Sequence, residues 1–566
     1  MDPTFLKLDY AIFIITLVLT FLIGAYYSIF KKQNTTEEYL HGGRRMNCLV
    51  VAFSIVSGAV SIHIITIPTD FYYYGINNFL GSNLSILLIG LTSYFLIFPV
   101  FYKLQLTSIY SYLELRFDKK VKLLSSFIFA LQIIISFPII TYVSALTVSL
   151  ITNINVYVIT YTLSILCIIY TIFGGIKAII WTDALQYLFI TICGLSIVIV
   201  GFYNNGIWNV YKTARDTERL KVDFDVNPMK RDTFWLASAA YYFQVIGLLG
   251  FHQGAVQKYL SLKKSSDVKW SHFFAYLGLA IVLLLSVLCG FVTLYQYVYC
   301  DPMVSKKITK PDQLISYYVM DSTTQFPGLA GLFASGIISA SLSTLSSGLN
   351  SVAVTVYYDF FKPNLSKKLT DKHETTCLKV LVLIFGILCV SCTYIVKYLE
   401  RNIFPVFICF TALTNGPMAG LFIVGLFIPK INANGAFYGG LSSLFFMAWL
   451  VITSQWYQMQ GFIKHPTLPV YTNSCKTAIE INEVYNQTRN ESAPWIYKLS
   501  HFCFPIIGIS VVMLIAFLIS YLTKRTKNDD VPDEYLSPLV CYIRKKCNVL
   551  RYKNVLDATK ECEHNM

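Results

Sequence analysis

Residues 53–75 read FSIVSGAVSIHIITIPTDFYYYG, an apolar run long enough to cross a bilayer that nevertheless carries Ser57, Gly58, Ser61, His63 and Pro68 within it. Glycine loosens a helix and proline removes a backbone donor, so one uninterrupted helix through this stretch is not expected. Hydrocarbon offers no water to the freed backbone groups, and such a break is tolerated only where it lines a cavity or an ion site. A second stretch of the same kind lies five spans later, with Gly247, Gly250 and Gly254 around His252 and Gln253. Interrupted spans at corresponding positions of two five-helix halves point to an inverted-repeat secondary transporter with its site near the bilayer midplane. Kinks without function are also common in membrane helices, so this pattern alone leaves both readings open.

The remainder of the chain fits a life in lipid. Its 566 residues are 55% hydrophobic and 13% charged, whereas a soluble domain carries about 25% charged residues. Thirteen spans are expected, near 10–30, 48–75, 82–102, 122–150, 156–174, 178–202, 234–258, 271–297, 327–357, 377–397, 403–428, 434–454 and 500–522. The first precedes Lys31 and Lys32 and lacks both a basic n-region and a small-residue cleavage site, so it reads as a retained helix. Lysine and arginine gather in alternate short loops, at Lys31, Lys32, Arg44 and Arg45, at Arg116, Lys119 and Lys120, at Lys263 and Lys264, and at Lys362, Lys367 and Lys368. With thirteen spans these fall on one side together with Lys524, Arg525 and Lys527. Positive loops face the cytoplasm. This places the amino terminus outside and the carboxyl tail inside, in the plasma membrane. The sequons at Asn486 and Asn490 then fall in an outer loop, 456–498, where glycosylation is expected.

The net charge of +14 is spread over these inner loops and a mixed-charge tail. Topology accounts for it, and no nucleic-acid partner is implied. Most of the fourteen cysteines fall in apolar spans, where they act as small hydrophobes. Cys300 and Cys475 lie in expected outer loops and are candidates for a disulfide, which sequence alone does not fix.

Two polar constellations stand out within the spans. The ninth contains SASLSTLSSGLNS, with Ser339, Ser341, Ser343, Thr344, Ser346 and Ser347. Small hydroxyl residues are good helix-packing glue. They also suit sodium, a hard ion satisfied by several oxygens without much buried charge. The second constellation is Asp183 in WTDALQYLF, with Gln186 one turn further along. An ionisable side chain in an apolar setting marks an ion or proton path by default, and the alternative is a carboxylate at the membrane edge. A membrane enzyme using His63 and Asp183 as a base pair would need a nucleophile or a metal motif, and neither accompanies them; no enzymatic role is expected.

At these residues the chain resembles the sodium/solute symporter family. The likeness runs through GGRRMN (42–47), GGIKAIIWTDALQ (174–186), GAVQKYL (254–260), ASLSTLSSGLNSVAVTVYYDFFKP (340–363) and NGPMAGLFIVGLF (415–427), then Lys430, Gly435, Ala436, Gly439 and Gly440. The thirteen-span plan and the long sequon-bearing loop before the last helix are similar to the branch of iodide, monocarboxylate and multivitamin carriers. That resemblance implies an all-α polytopic membrane protein of LeuT-like fold, with a ten-helix core of two inverted five-helix repeats at 48–202 and 234–428. Around the core lie 1–47, an outer loop at 203–233, two final helices within 429–523 and the inner tail 524–566.

The resemblance further implies one or two co-transported Na+ ions. One would be held by Val56, Ala59, Ala340, Ser343 and Thr344. A second, in members with the acidic residue, would use Ser57, Asp183, Ser346 and Ser347, with Gln186 nearby. The solute pocket is expected to include His63, Thr66, His252 and Gln253. Here the chain departs from its branch: His63 stands where the iodide carrier has glutamine, Tyr73 where arginine is common, and His252 where asparagine is usual. Tyrosines 72–74 are either pocket donors or an interfacial aromatic belt. The expected cargo is a small organic solute or monovalent anion, monocarboxylate or vitamin-like. A sugar or polyol symporter and a non-transporting sensor on the same fold are the alternatives.

Overall fold

The computed structural model describes residues 5–30, 35–323, 325–365, 370–396, 403–463, 465–472, 475, 493–523 and 531–546. The two sequons at Asn486 and Asn490 lie outside the described residues. Within them every regular element is a helix, the form that satisfies its own backbone groups in lipid. In chain order the main helices are α1 (Lys7–Ile29), α2 (Cys48–Val60), α3 (His63–Tyr74), α4 (Asn77–Leu104), α5 (Lys119–Thr152), α6 (Val156–Asn205), α7 (Phe234–Gly250), α8 (Gln253–Leu260), α9 (Ser265–Tyr297), α10 (Leu329–Val356), α11 (Asp371–Val396), α12 (Ile403–Phe427), α13 (Ala433–Met459) and α14 (Phe504–Leu522).

Among the described residues ten helices are long and apolar enough to cross a membrane alone. The pairs α2 with α3 and α7 with α8 reach that length only together, and they are bent by 53° and 52°. These are the two interruptions expected from the sequence. The 50 residues of α6 would extend about 75 Å at 1.5 Å each, far beyond a hydrocarbon core of about 30 Å. Its backbone leaves helical geometry at Gly175 (φ 54°, ψ −165°), a conformation that glycine adopts without a Cβ penalty. Division there yields the separate spans expected at 156–174 and 178–202.

Side-chain caps set several helix starts. Asn47 accepts from Leu49 N at 2.8 Å, Asp118 from Val121 N at 2.9 Å, Asn155 from Tyr157 N at 2.9 Å and Asn432 from Gly435 N at 2.8 Å. Each satisfies an amide with no partner inside its helix. The expected span 82–102 begins five residues early, at Asn77, whose buried side chain accepts from Asp223 N at 2.8 Å. Interior packing centres on α10, which lies against α2, α5 and α6. Glycine permits the approach to α5: a Cβ at Gly348 would sit 1.8 Å from the Phe137 ring.

At one end of the bundle the stretch 465–472 drapes over the end of α3. Leu468 N donates to Tyr73 O at 2.8 Å, Tyr471 N donates to Val298 O at 2.9 Å, and Cys300 is joined to Cys475 in a disulfide with Cα atoms 5.0 Å apart. Arg219, fully buried, donates to Tyr72 O at 3.2 Å and to Pro469 O at 2.6 Å. The Tyr72 and Tyr73 hydroxyls reach the Asp301 carboxylate at 2.9 and 3.4 Å. Both tyrosines are buried, so the aromatic-belt reading does not hold for them: a buried carboxylate draws donors inward.

Candidate functional site

A cavity of about 140 Å³ lies beside both helix breaks, bounded by Gly58, Ala59, Ser61, His63 and Thr66 at the first break and by Leu249, His252, Gly254 and Lys258 at the second. Ile133, Phe137 and Ile140 of α5, Thr344 and Ser347 of α10, and Phe407 and Ile408 of α12 complete much of a largely apolar wall. Three expected pocket residues, His63, Thr66 and His252, therefore do line it. Gln253 does not. Its amide is buried and spent on the loop after α4, with Nε2 donating to Thr107 O at 2.7 Å and Oε1 accepting from Ile109 N at 2.8 Å. A buried amide is held by whichever backbone groups it can pair, and here those lie away from the cavity.

The two histidines present opposite chemistry. At the second break His252 Nδ1 accepts from Gly254 N at 3.2 Å and caps α8. In a neutral ring the proton is then on Nε2, a donor. At the first break His63 Nδ1 meets the Val60 carbonyl, an acceptor, so Nδ1 carries the proton and Nε2 is left as an acceptor. The hydroxyls of Ser61 and Ser136 and the carbonyl oxygen of the Gln244 side chain, all on the cavity wall, are buried without hydrogen-bond partners.

Just behind this wall α2 ends. The last turn of a helix has carbonyls with no partner in the helix itself, and here α10 meets them: Ser343 Oγ donates to Ser57 O at 3.0 Å and Thr344 Oγ1 to Gly58 O at 3.3 Å. Both hydroxyls also reach Ala340 O, at 3.1 and 3.0 Å. Hydroxyl and carbonyl oxygens thus converge from a broken helix and an intact one. Of the expected set, Ala340, Ser343 and Thr344 come together, and Ala59 lines the neighbouring cavity. Val56 immediately precedes these positions in α2, and the carbonyls that meet the hydroxyls are those of Ser57 and Gly58.

The second expected set is arranged differently. Asp183 is fully buried, which removes the edge-carboxylate reading. Ser347 Oγ donates to its Oδ2 at 2.8 Å and Ser346 Oγ to its Oδ1 at 3.3 Å, as anticipated. The other two partners were missed: Ser54 Oγ donates at 3.0 Å, and the Lys258 ammonium at 2.8 Å. Ser57 Oγ is buried without a partner, as are both ends of the Gln186 amide. Neither is among the groups bonded to Asp183. Ser54 stands one turn before Gly58 in the interrupted span, and Lys258 is the one charged residue within GAVQKYL. A lysine placed inside an apolar span demands a buried carboxylate, the signal that sequence reasoning passed over.

The family match settles the setting of these oxygens: residues 39–442 match the profile described as "Sodium:solute symporter family". The chain belongs to this family. The symporter is 33% identical to "Sodium-coupled monocarboxylate transporter 2" of Bos taurus over 551 residues, covering 96% of this chain and 89% of that one. It is 31% identical to "Sodium-coupled monocarboxylate transporter 1" of Homo sapiens, covering 97% and 94% of the two chains. A "Putative sodium-dependent multivitamin transporter" of Drosophila melanogaster is 30% identical, with 92% and 87% covered. Among solved structures, a Na+-coupled sialic acid symporter in a substrate-bound outward-open state superposes with a TM-score of 0.73 at 24% identity, covering 92% of this chain and 99% of that one. That likeness establishes the LeuT-like architecture of this all-α membrane protein. The symporter couples movement of a small solute to co-transported Na+, as its family does.

Proposed function

We propose that the symporter imports a small monocarboxylate across the plasma membrane, with sodium held where α10 hydroxyls meet the broken end of α2. The observation that carries this is the shared wall: Gly58 and Thr344 bound both the oxygen cluster and the solute cavity. An ion bound there ties α2 to α10 and fixes one face of the cavity, so ion and solute favour the same conformation. Coupling of this kind typically raises each affinity by about 1–3 kcal/mol. Carbonyls and hydroxyls suit a monovalent ion because they supply oxygens without further charge.

The lining supports a solute with an apolar body and one polar head. A carboxylate accepts from the Nε2 proton of His252 and from the free hydroxyls of Ser61 and Ser136, and the aliphatic and phenyl wall receives the remainder. A sugar or polyol would bring several hydroxyls against that wall without partners, so the observations favour the carboxylate. The names of the relatives agree with it. The same proposal keeps thirteen crossings, the inverted repeats at 48–202 and 234–428, an amino terminus outside the cell and glycans at Asn486 and Asn490. The disulfide between Cys300 and Cys475 supports an outer location for that end, an oxidising compartment.

The test is tracer uptake in oocytes with sodium or choline outside, across lactate, pyruvate, nicotinate, biotin, pantothenate, iodide, glucose and myo-inositol. Sodium-dependent accumulation of a short monocarboxylate is expected. Accumulation of glucose or myo-inositol alone would overturn the substrate class, and solute-evoked current without accumulation would indicate a sensor.

A further inference from the structure

Lys258 is the unassigned charge of this site. It sits in α8, just past the second break, and its side chain is 3% exposed. Its ammonium donates to Asp183 Oδ2 of α6 at 2.8 Å and to the Ser54 carbonyl of α2 at 3.0 Å. It also lies beside Gly58, where a Cβ would be 3.7 Å from Nζ. The Ser347 and Ser54 hydroxyls bonded to the same carboxylate oxygen close the cluster around it.

These are the oxygens a second sodium would need: a carboxylate, a carbonyl and two hydroxyls. They already surround a monovalent cation that belongs to the chain. The partners of the Asp183 carboxylate are the Lys258 ammonium and the hydroxyls of Ser54, Ser346 and Ser347, so its single negative charge is already balanced by a positive charge of the chain. Two like charges sharing one buried carboxylate repel strongly in a low-dielectric interior. We infer that Lys258 is a tethered cation occupying the acidic site, so that the symporter binds and carries one sodium ion per cycle instead of two.

The inference rests on the sodium-coupled reading of this cavity and sharpens it. One sodium moving with one monovalent anion transfers no net charge, and the membrane potential then adds nothing to the driving force for that pair. With two sodium ions the same cargo would be electrogenic.

The experiment is equilibrium binding of sodium-22 to the purified full-length protein, with no solute present. Wild type is expected to bind one ion per chain. Lys258→Ala, which opens the acidic site, is expected to bind two, Lys258→Arg one, and the double variant Lys258→Ala with Asp183→Asn one. Two ions in wild type would overturn the inference, as would a folded Lys258→Ala protein that still binds only one. The wild-type count decides the matter even where Lys258→Ala does not fold. Absence of any bound sodium in wild type would overturn the sodium-coupled reading itself, whereas two ions would remove only the role given to Lys258.

Discussion

The two interrupted spans bend by nearly the same angle, 53° and 52°, yet they spend their freed groups differently. At the first break Ser61 adopts φ 43° and α2 ends with carbonyls facing hydroxyls from another helix. Those bonds are made of oxygen on both sides. At the second break the chain closes on itself. His252 caps α8, Phe251 stacks on Phe422 with ring centroids 4.8 Å apart, and Gln253 staples the loop at 107–109. A broken helix is therefore not in itself an ion site. What matters is whether its orphaned groups are left to oxygen ligands or consumed by fixed partners.

This contrast is open to attack by mutation. The largest effect is expected where the two breaks meet, at the carboxylate that receives Ser54 from α2 and Lys258 from α8. Asp183→Ala leaves a buried ammonium without its counter-charge, which typically costs about 3–5 kcal/mol. Thermal unfolding of the purified protein should fall accordingly, and Lys258→Ala in the same chain should recover part of the loss. Next comes Gln253→Ala, which strands a buried carbonyl and a buried amide at about 1–3 kcal/mol each. A lower unfolding temperature with unchanged half-saturating sodium would sharpen the distinction, and a large shift in sodium dependence would break it.

Thr344→Ala should act the opposite way. Loss of one hydroxyl, about 1.5 kcal/mol, raises half-saturating sodium for tracer uptake roughly tenfold while surface expression stays intact. Unaltered sodium dependence would mean that the oxygens at the first break are merely structural. The smallest effect belongs to a site outside both breaks. Lys230 pairs with Asp223 and Asp225 at 2.9 Å each on the loop before α7. Its hydrogen bond holds the Asp223 carboxyl below the usual range. The pair thus supports the fold at neutral pH and is lost only as pH falls through that lowered range. Because these groups are largely exposed, Lys230→Ala should leave sodium affinity unchanged and shift the unfolding transition slightly, and less so in high salt.

The helical plan was legible because its signals are local. Gly58, Ser61, Gly250 and Gly254 mark the breaks within apolar runs, and the hydroxyls of 339–347 mark the helix that faces one of them. Gly175 separates two spans by the same kind of signal. Beyond the candidate Cys300–Cys475 pair and the serines expected beside Asp183, partnerships across the chain were not legible. Nothing in GAVQKYL says that Lys258 reaches Asp183, some 75 positions away, and a glutamine next to a pocket histidine looks like a pocket residue until its amide is seen bonded to Thr107 and Ile109. The choice between Val56 and Gly58 as the carbonyl that meets Thr344 depends on where α2 stops, which periodicity does not resolve to one residue.

The strap formed by residues 465–472, with Cys475 beyond it, has a mechanical consequence. It is hydrogen-bonded to the last turn of α3 and covalently tied to the segment following α9. The second half of the broken span, α3, is thereby harnessed to a neighbouring helix and to its cover. A tilt of α3 about the break at Ser61 would have to carry this cover along or break the bond between Leu468 and Tyr73.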